Sequence, residues 1–459
     1  MGCGIYHGTE RVMLMVRRIT GLWWVAAVSL VVAGCAGLSS NATGAGPGVA
    51  GTARSSTSST SASASVAKTA TPADALRPQA KPIWLRSLQM TSATTGWALY
   101  SFGDPNSASI PFMLLARTTD GGRSWTDVTP AAARPMLATP DAEQVVDPVG
   151  GERAYLAVTE ATQESDTAVN TTMLFATTDG GRIWTHSAPL RAESTVSQVS
   201  FADPQHGFLL LGGDDGAMGQ DSVWLYRTSD GGAHWSPAAA TPAPSGGTVD
   251  SRPGPGQIPA ACDKTGLTFP TATTGWIAST CNAGLADALL VSRNGGTSWS
   301  DQSLPLPATA CAGGGCMVKG PQFVRGVGLM TVEAQPDGAA LLVTRDLGQT
   351  WAQLPLPAGL QYPQVTFFSP TQGVLVAGEA QGAFGGTFYT TDDGGQSWTP
   401  VRQGSDLTRL GVTIDFANLQ DGFAWTNGLE SDPVPPTSIY VTTNSGRSWH
   451  AFTPDLVTR

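Results

Sequence analysis

The sequence predicts an all-β chain folded as a seven-bladed β-propeller with the same turn in each blade, and three observations predict it. One eight-residue pattern returns seven times between about residue 84 and the last residues. A glycine followed by a large or apolar residue stands 23–33 residues upstream of the tryptophan in most of these copies. The composition, with 55 Gly, 32 Pro and only 13% charged residues among 459, excludes a long helical or coiled-coil protein.

The first copy reads Thr118-Thr119-Asp120-Gly121-Gly122-Arg123-Ser124-Trp125. The others centre on Asp179 with Trp184, Asp230 with Trp235, Asn294 with Trp299, Asp346 with Trp351, Asp393 with Trp398, and Asn444 with Trp449. The tryptophans are 47 to 64 residues apart, about one four-stranded unit. The pattern resembles the Asp-box, or BNR, turn. In such a turn the carboxylate accepts backbone N–H groups, a glycine takes positive φ, and the tryptophan packs beside the strand it opens. Because Asn replaces Asp in two copies, the acid is read as a turn stabiliser: an amide oxygen keeps the bond without the charge.

An apolar run such as Phe112–Ala116 precedes each turn, and a short strand such as Trp125–Val128 follows it. Upstream lie the pairs Gly96-Trp97, Gly207-Phe208, Gly275-Trp276, Gly373-Val374 and Gly422-Phe423, with a degenerate version near Gly151 and Tyr155. Each unit therefore reads strand A, short turn, strand B, loop, strand C, box turn, strand D. The A–B and C–D turns fall on one face and are short. The B–C loops (101–110, 160–170, 212–221, 427–438) and D–A loops (236–261, 301–320) fall on the other. Variable loops on a rigid scaffold point to a binding face there. Asp214, Asp215 and Asp221 in the third B–C loop form a possible binding loop, although their spacing matches no EF-hand.

The N-terminus reads as an export signal. Arg11, Arg17 and Arg18 precede an apolar run from Ile19 to Ala33, shorter than a membrane span. The end of the run, Val32-Ala33-Gly34-Cys35, resembles a bacterial lipobox, which implies cleavage before Cys35 and lipidation of its thiol. Residues 1–35 are thus a lipoprotein signal peptide. Residues 36–80, rich in Ser, Thr, Ala and Gly, are a disordered tether, and 81–459 form the propeller. The expected location is extracytoplasmic, lipid-anchored to a bacterial cell membrane. Four further cysteines suit that compartment. Cys262 precedes strand A of the fourth unit and Cys281 ends its strand B, while Cys311 and Cys316 share a small loop. The expected pairs are Cys262–Cys281 and Cys311–Cys316, with a metal site as the alternative.

The repeated turn with its Gly-Trp partner resembles the photosystem II stability/assembly factor-like propellers, a BNR-repeat family, over about residues 84–452. That resemblance implies seven blades, export as a lipoprotein, and an assembly-scaffold role. Asp boxes also occur in sialidases and glucan-cleaving enzymes, but the Arg-Ile-Pro stretch of sialidases is absent, as are His-Glu-x-x-His, Gly-x-Ser-x-Gly and the P-loop. No catalytic residue, cofactor or metal is expected. Net charge of −10 argues against nucleic acid or an anionic membrane surface as the partner, so membrane contact is through the lipid alone. The reading is a protein-binding or assembly scaffold, with a carbohydrate-active hydrolase as the alternative and carbohydrate as a conceivable ligand.

Overall fold

The computed structural model describes residues 84–457 apart from 103–111, 140–141, 163–168, 193, 213–221, 242–255, 282–287, 307–314, 335–337, 359, 379–383, 402–411 and 427–437. Cys35, Cys311, Asp214, Asp215 and Asp221, the signal segment and the tether therefore lie outside the described residues. The chain divides into Met1–Ala75 and Leu76–Arg459, and every described residue belongs to the second part.

Apart from one short helix, α1 (Arg134–Leu137), the regular elements among the described residues are strands. They run as successive antiparallel meanders, each in the order A, B, C, D. The first is β1 (Trp84–Met90), β2 (Gly96–Phe102), β3 (Phe112–Thr118) and β4 (Ser124–Asp127). The second is β5 (Glu143–Pro148), β6 (Ala154–Thr162), β7 (Val169–Thr177) and β8 (Thr185–His186), with β9 (Leu190–Ala192) also paired to β7. Then come β10 (Thr195–Phe201), β11 (Gly207–Gly212), β12 (Val223–Thr228) and β13 (Ser236–Ala240). Strands β14 (Asp263–Thr268), β15 (Gly275–Cys281), β16 (Leu289–Ser292), β17 (Ser300–Asp301), β18 (Cys316–Val324), β19 (Val327–Ala334), β20 (Gly338–Thr344) and β21 (Ala352–Leu354) share one eight-stranded sheet. The last two meanders are β22 (Gln361–Phe367), β23 (Gly373–Gly378), β24 (Phe384–Thr391), β25 (Thr399–Val401), and β26 (Val412–Phe416), β27 (Gly422–Thr426), β28 (Ile439–Thr442), β29 (His450–Phe452).

The strands thus form six sheets among the described residues. The eight-stranded one is two meanders fused where β15 meets β18, at Thr280 opposite Met317 and Cys281 opposite Cys316. Each apolar cluster straddles two consecutive meanders. Leu99 and Leu115 meet Leu156 and Phe175, Leu210 and Leu225 meet Phe269 and Ile277, and Phe388 meets Phe416 and Ala424. Another cluster joins the last meander to the first, through Phe423, Trp425 and Ile439 against Leu85, Tyr100 and Trp125. A final strand, β30 (Asp455–Val457), pairs in parallel with β4 and closes the circle. This closed succession of antiparallel sheets is a β-propeller. Strands A of neighbouring meanders lie against one another, β1 on β26, β5 on β10, β10 on β14 and β14 on β18, so they form the inner wall. Strand B is covered on both sides, and all seven residues of β2 are buried, which is why it reads as a continuous apolar run.

The Gly-large pair has a packing reason. The glycine opening strand B lies under the last side chain of its own strand A. A Cβ would stand 2.5 Å from the Phe201 ring at Gly207, 2.6 Å from Phe323 at Gly328 and 2.6 Å from Phe416 at Gly422. The residue after the glycine stacks on the equivalent ring of the next meander. Phe208 lies on Phe269 with centroids 3.4 Å apart, and Trp276 on Phe323 at 5.0 Å. The second meander has Pro148 in place of the ring and can hold Ala154 in place of the glycine, while Tyr155 still stacks on Phe201 at 3.5 Å.

Three expected loops are shorter than the sequence reading. Within 160–170, β6 runs on to Thr162 and β7 begins at Val169, so the ladder takes up both ends of it. Within 301–320, β18 begins at Cys316. Within 236–261, β13 occupies Ser236–Ala240, Gln257 bridges back in parallel to Ala240, and Ile258 is fully buried.

Candidate functional site

The box turns share one hydrogen-bond scheme. In the first, Thr118 Oγ1 donates to Asp120 Oδ1 at 2.9 Å and accepts the Gly122 N–H at 3.0 Å. The Ser124 N–H donates to Asp120 Oδ1 at 2.9 Å, and the Ser124 hydroxyl to Oδ2 at 2.6 Å. The Asn copies reverse the last bond: Asn294 Nδ2 donates to Ser298 Oγ at 2.7 Å while Asn294 Oδ1 still accepts the Ser298 N–H at 3.0 Å. The turn is therefore served by either side chain. Replacing Asp120 with Asn will leave stability nearly unchanged, whereas Asp120→Ala will cost about 1–2 kcal/mol in denaturant unfolding, because the Ser124 N–H loses its acceptor.

Hydroxyl and amide donors hold these carboxyls low. The Thr350 hydroxyl brings Asp346 to about 2, the Ser397 hydroxyl does the same for Asp393, and the His234 N–H for Asp230. His234 Nδ1 also lies 2.7 Å from Asp230, and His206 Nδ1 lies 2.8 Å from Asp203 in the neighbouring A–B turn, so both rings serve turns. A further bond ties the C–D turn to the A–B turn: Gly121 N–H donates to Thr94 O, Gly231 to Gln205 O, and Gly394 to Thr371 O.

The second residue of each Gly pair has a role beyond its φ. Gly181, at φ +80°, abuts the preceding meander so closely that a Cβ would lie 2.6 Å from Val128. Gly296 would meet Leu225 at 2.6 Å and Gly446 would meet Phe388 at 2.9 Å. The first position is looser, since Leu347 and Ser445 occupy it with φ of 54° and 63°. The box is thus also the point where one meander docks on the one before it. Its tryptophan can reach the same way, as Trp184 Nε1 donates to Val128 O at 2.8 Å and Trp398 Nε1 to Pro355 O at 3.1 Å.

The inner wall carries a second repeated device. The residue just before the terminal ring of strand A reaches the next meander's strand A. Ser200 Oγ accepts the Phe269 N–H at 2.9 Å, and Gln322 Oε1 accepts the Phe367 N–H at 3.0 Å. Asp415 Oδ2 accepts the Met90 N–H at 3.3 Å, which latches the last meander to the first. At the corresponding place in the second meander, the Phe201 N–H favours the charged form of Asp147. The equivalent donor between the first two meanders is missing because Pro148 has no N–H, and Gln89 Nε2 donates instead to Val146 O at 3.3 Å. Burial pushes both Asp147 and Asp415 up to about 6, against the opposing effect of those N–H groups. Above this row a bulge recurs in strands β1, β10 and β14. In β1 it turns Arg86 towards the Trp84 ring, 4.9 Å away, and Ser101 Oγ, 3.2 Å away.

At the other end of the wall the fourth and fifth meanders meet. Cys262 and Cys281 form a disulfide with Cα atoms 4.6 Å apart, the pairing read from the sequence. Cys316 is also disulfide-bonded, and it lies opposite Cys281 in the β15–β18 ladder. Lys264, buried, donates from Nζ to Ala261 O and to Cys262 O, the latter at 2.9 Å. Glu333, also buried, is raised by desolvation against Lys319 Nζ at 3.2 Å. Among the described residues no group of three or more His, Cys, Asp or Glu side chains could hold a metal ion.

Sequence reasoning located the boxes and one disulfide. It missed the latch row, although a polar residue before the terminal Phe recurs in Ser200-Phe201, Thr268-Phe269, Gln322-Phe323, Thr366-Phe367 and Asp415-Phe416.

No family model and no curated protein sequence matches the chain. Among solved structures it is similar to YCF48 bound to a D1 peptide, at 15% identity over 82% of this chain and 93% of that one, TM-score 0.45. It is also similar to the GH74 xyloglucanase from Xanthomonas campestris, at 16% identity over 82% of this chain and 56% of that one, TM-score 0.48. A third is the Trypanosoma rangeli sialidase in complex with sialic acid, at 12% identity over 65% of this chain and 53% of that one, TM-score 0.37. The chain spans little more than half the length of the latter two.

Proposed function

We propose that the protein is an extracytoplasmic, lipid-anchored propeller of seven blades that binds a protein partner as a scaffold. On this reading the eight-stranded sheet counts as two blades, since it is two complete A–D meanders whose ladders meet at the Thr280–Met317 and Cys281–Cys316 pairs. The observation that favours binding over hydrolysis is where the carboxylates go. Asp120, Asp230, Asp346 and Asp393 hold their own turns, Asp415 accepts the Met90 N–H across a packed seam, and Asp147 is held largely desolvated beside the Phe201 N–H. A carboxylate committed to an amide inside a seam is not aimed at a glycosidic oxygen.

Cys35 is the proposed lipid attachment and Cys311–Cys316 the proposed second disulfide. Partners are placed on the face of the B–C and D–A loops, where Asp214, Asp215 and Asp221 also fall. Cross-linking recovery of partners from native membranes tests this. Shortening 242–255, a segment that spares β13 and the buried Ile258, or neutralising Asp214, Asp215 and Asp221, is expected to reduce recovery severalfold with thermal stability unchanged. Trp125→Ala is expected to lower stability first. Cys35→Ala is expected to move the protein from the membrane fraction to the soluble one. A partner set untouched by the loop changes, or release of reducing sugar from xyloglucan, would overturn the reading.

A further inference from the structure

A bulge recurs in strands A of the inner wall, and in one of them the bulged residue is charged. The register of β1 slips between Leu85 and Ser87, which makes Arg86 the extra residue. The same slip makes Ser197 the extra residue in β10 and Thr265 in β14, while β18 has Gly320 and Pro321 there and β22 has Tyr362 and Pro363. A bulge re-aims the side chain it carries. In β1 it brings a guanidinium onto two supports. Arg86 Nε donates to Ser101 Oγ at 3.2 Å, and Ser101 is fully buried. The Trp84 ring lies against the guanidinium, its centroid 4.9 Å from Cζ. The cation is thus held from two sides, at the end of the wall where β2 runs out towards its B–C loop.

Arg86 has no counter-charge. Among the described residues no carboxylate pairs with it, although Arg117, Arg134 and Lys319 each have one. Glu143, which opens the next strand A, is engaged with a different residue. Burial holds the guanidinium below its ordinary value, so the charge is carried at a cost. An apolar side chain of similar length would avoid that cost. Nη1 and Nη2 make no hydrogen bond within the described residues, and neither is sealed from solvent. Their open end decides what can bind. Two N–H groups, one on each Nη, point the same way and match the two oxygens of a carboxylate. A monoanion neutralises the single positive charge one for one, whereas a dianion would bring a second negative charge with no cation to meet it. We propose that Arg86 is the anion-binding residue of a monocarboxylate site on the inner wall, with Trp84 and Ser101 as its supports. The inference stands apart from the scaffold reading and uses none of its partners. An aliphatic acid and a sugar acid present the same two oxygens, and the test separates them.

Thermal unfolding of the full chain tests the site, with sodium propionate or sodium glucuronate titrated against sodium chloride at equal ionic strength. A ligand bound by the native state alone raises the melting temperature as its concentration passes the dissociation constant. A saturable rise is expected with at least one of the two acids: with propionate alone the ligand is an aliphatic acid, with glucuronate alone a sugar acid, and with both the carboxylate suffices. Arg86→Lys keeps the charge but loses the fork, and is expected to weaken binding at least about tenfold. Arg86→Met is expected to abolish the rise and, in chloride, to melt no lower than the native chain, because it removes an unpaired cation while keeping the side-chain length. No saturable rise with either acid would overturn the proposal, as would a sulfate response as large as either acid's. A rise that persists in Arg86→Met, or is undiminished in Arg86→Lys, would overturn it too. So would a lower melting temperature of Arg86→Met in chloride, which would make Arg86 a structural prop for Ser101 and not a ligand site.

Discussion

Gly207→Ala will destabilise the folded protein by about 3 kcal/mol, the upper part of the range for forcing atoms into a packed core. The new methyl group would stand 2.5 Å from Phe201 Cε1 and 2.6 Å from Cζ. That ring has nowhere to go. Its other face is stacked on Tyr155 at 3.5 Å with an interplanar angle of 1°, and the box residue Trp235 closes its edge at 6.2 Å. Moving the ring would disturb the seam between the second and third meanders as well as its own sheet. The second meander supplies the control. Ala154 already occupies the equivalent site opposite Pro148, so Ala154→Gly will cost only about 1 kcal/mol, mostly through backbone entropy. Urea unfolding of Gly207→Ala, Phe201→Leu and the double variant measures the coupling. The double variant should be more stable than the sum of the two single losses by at least about 1 kcal/mol. Strict additivity would mean that the ring and the glycine do not share one space.

The inner-wall aspartates should make the protein more stable in mild acid than at neutral pH. Asp147 and Asp415 titrate near 6 in the folded state and near 3.8 when unfolded. Between these values the native state binds more protons than the unfolded state, so stability falls as pH rises. The contribution is complete below about pH 4 and lost as pH climbs through about 6. The shift corresponds to roughly 3 kcal/mol per group at most, and about 2 after allowing for partial solvent access. The box acids act in the opposite sense. Asp230, Asp346 and Asp393, held near 2, stabilise above about pH 4, and that stability is lost as pH falls through 2. The stability profile should therefore peak near pH 4–5. Asp147 is accompanied by Tyr155 and Arg153, which also face one another, so its variant is the more sensitive to neighbours. Asp415→Asn keeps an oxygen for the Met90 N–H and removes the buried charge. It should raise the melting temperature at pH 7 and flatten the profile between pH 4 and 6, whereas Asp415→Ala should lose the latch without a matching gain. An unchanged slope in the Asn variants would show that these carboxyls do not carry the effect.

The parts of the fold legible in the sequence are those whose physics is local. The Thr118–Trp125 turn is closed by bonds spanning no more than four residues, so its pattern stands whole in a short window and repeats visibly. The Cys262–Cys281 pairing was legible because both residues end adjacent strands of one meander. The Gly-Trp and Gly-Phe pairs were visible as marks without their reason, because the ring over each glycine and the ring beneath the next residue come from distant positions. Phe208 and Phe269 illustrate this. The latch row was hidden for a chemical reason. An acceptor for one backbone N–H can be Asp, Ser or Gln, so identity varies while function does not. The fusion of the fourth and fifth meanders was hidden too, since it rests on two residue pairs between strands that the chain does not visit consecutively.

The parallel pairing of β30 with β4 fixes when the circle can be completed. Leu456 lies beside Trp125, a separation of 331 residues. In a flexible chain, joining points that far apart would cost about 5 kcal/mol of length-dependent entropy, far more than three residues of parallel ladder return. Strand β30 can therefore add to the first sheet only after the intervening meanders have stacked and brought the two ends together at high effective concentration. Until then β4 is a bare edge, and the first sheet to leave the ribosome is the last to be finished. Until the circle closes, β4 is therefore open to pairing with the same strand of another copy.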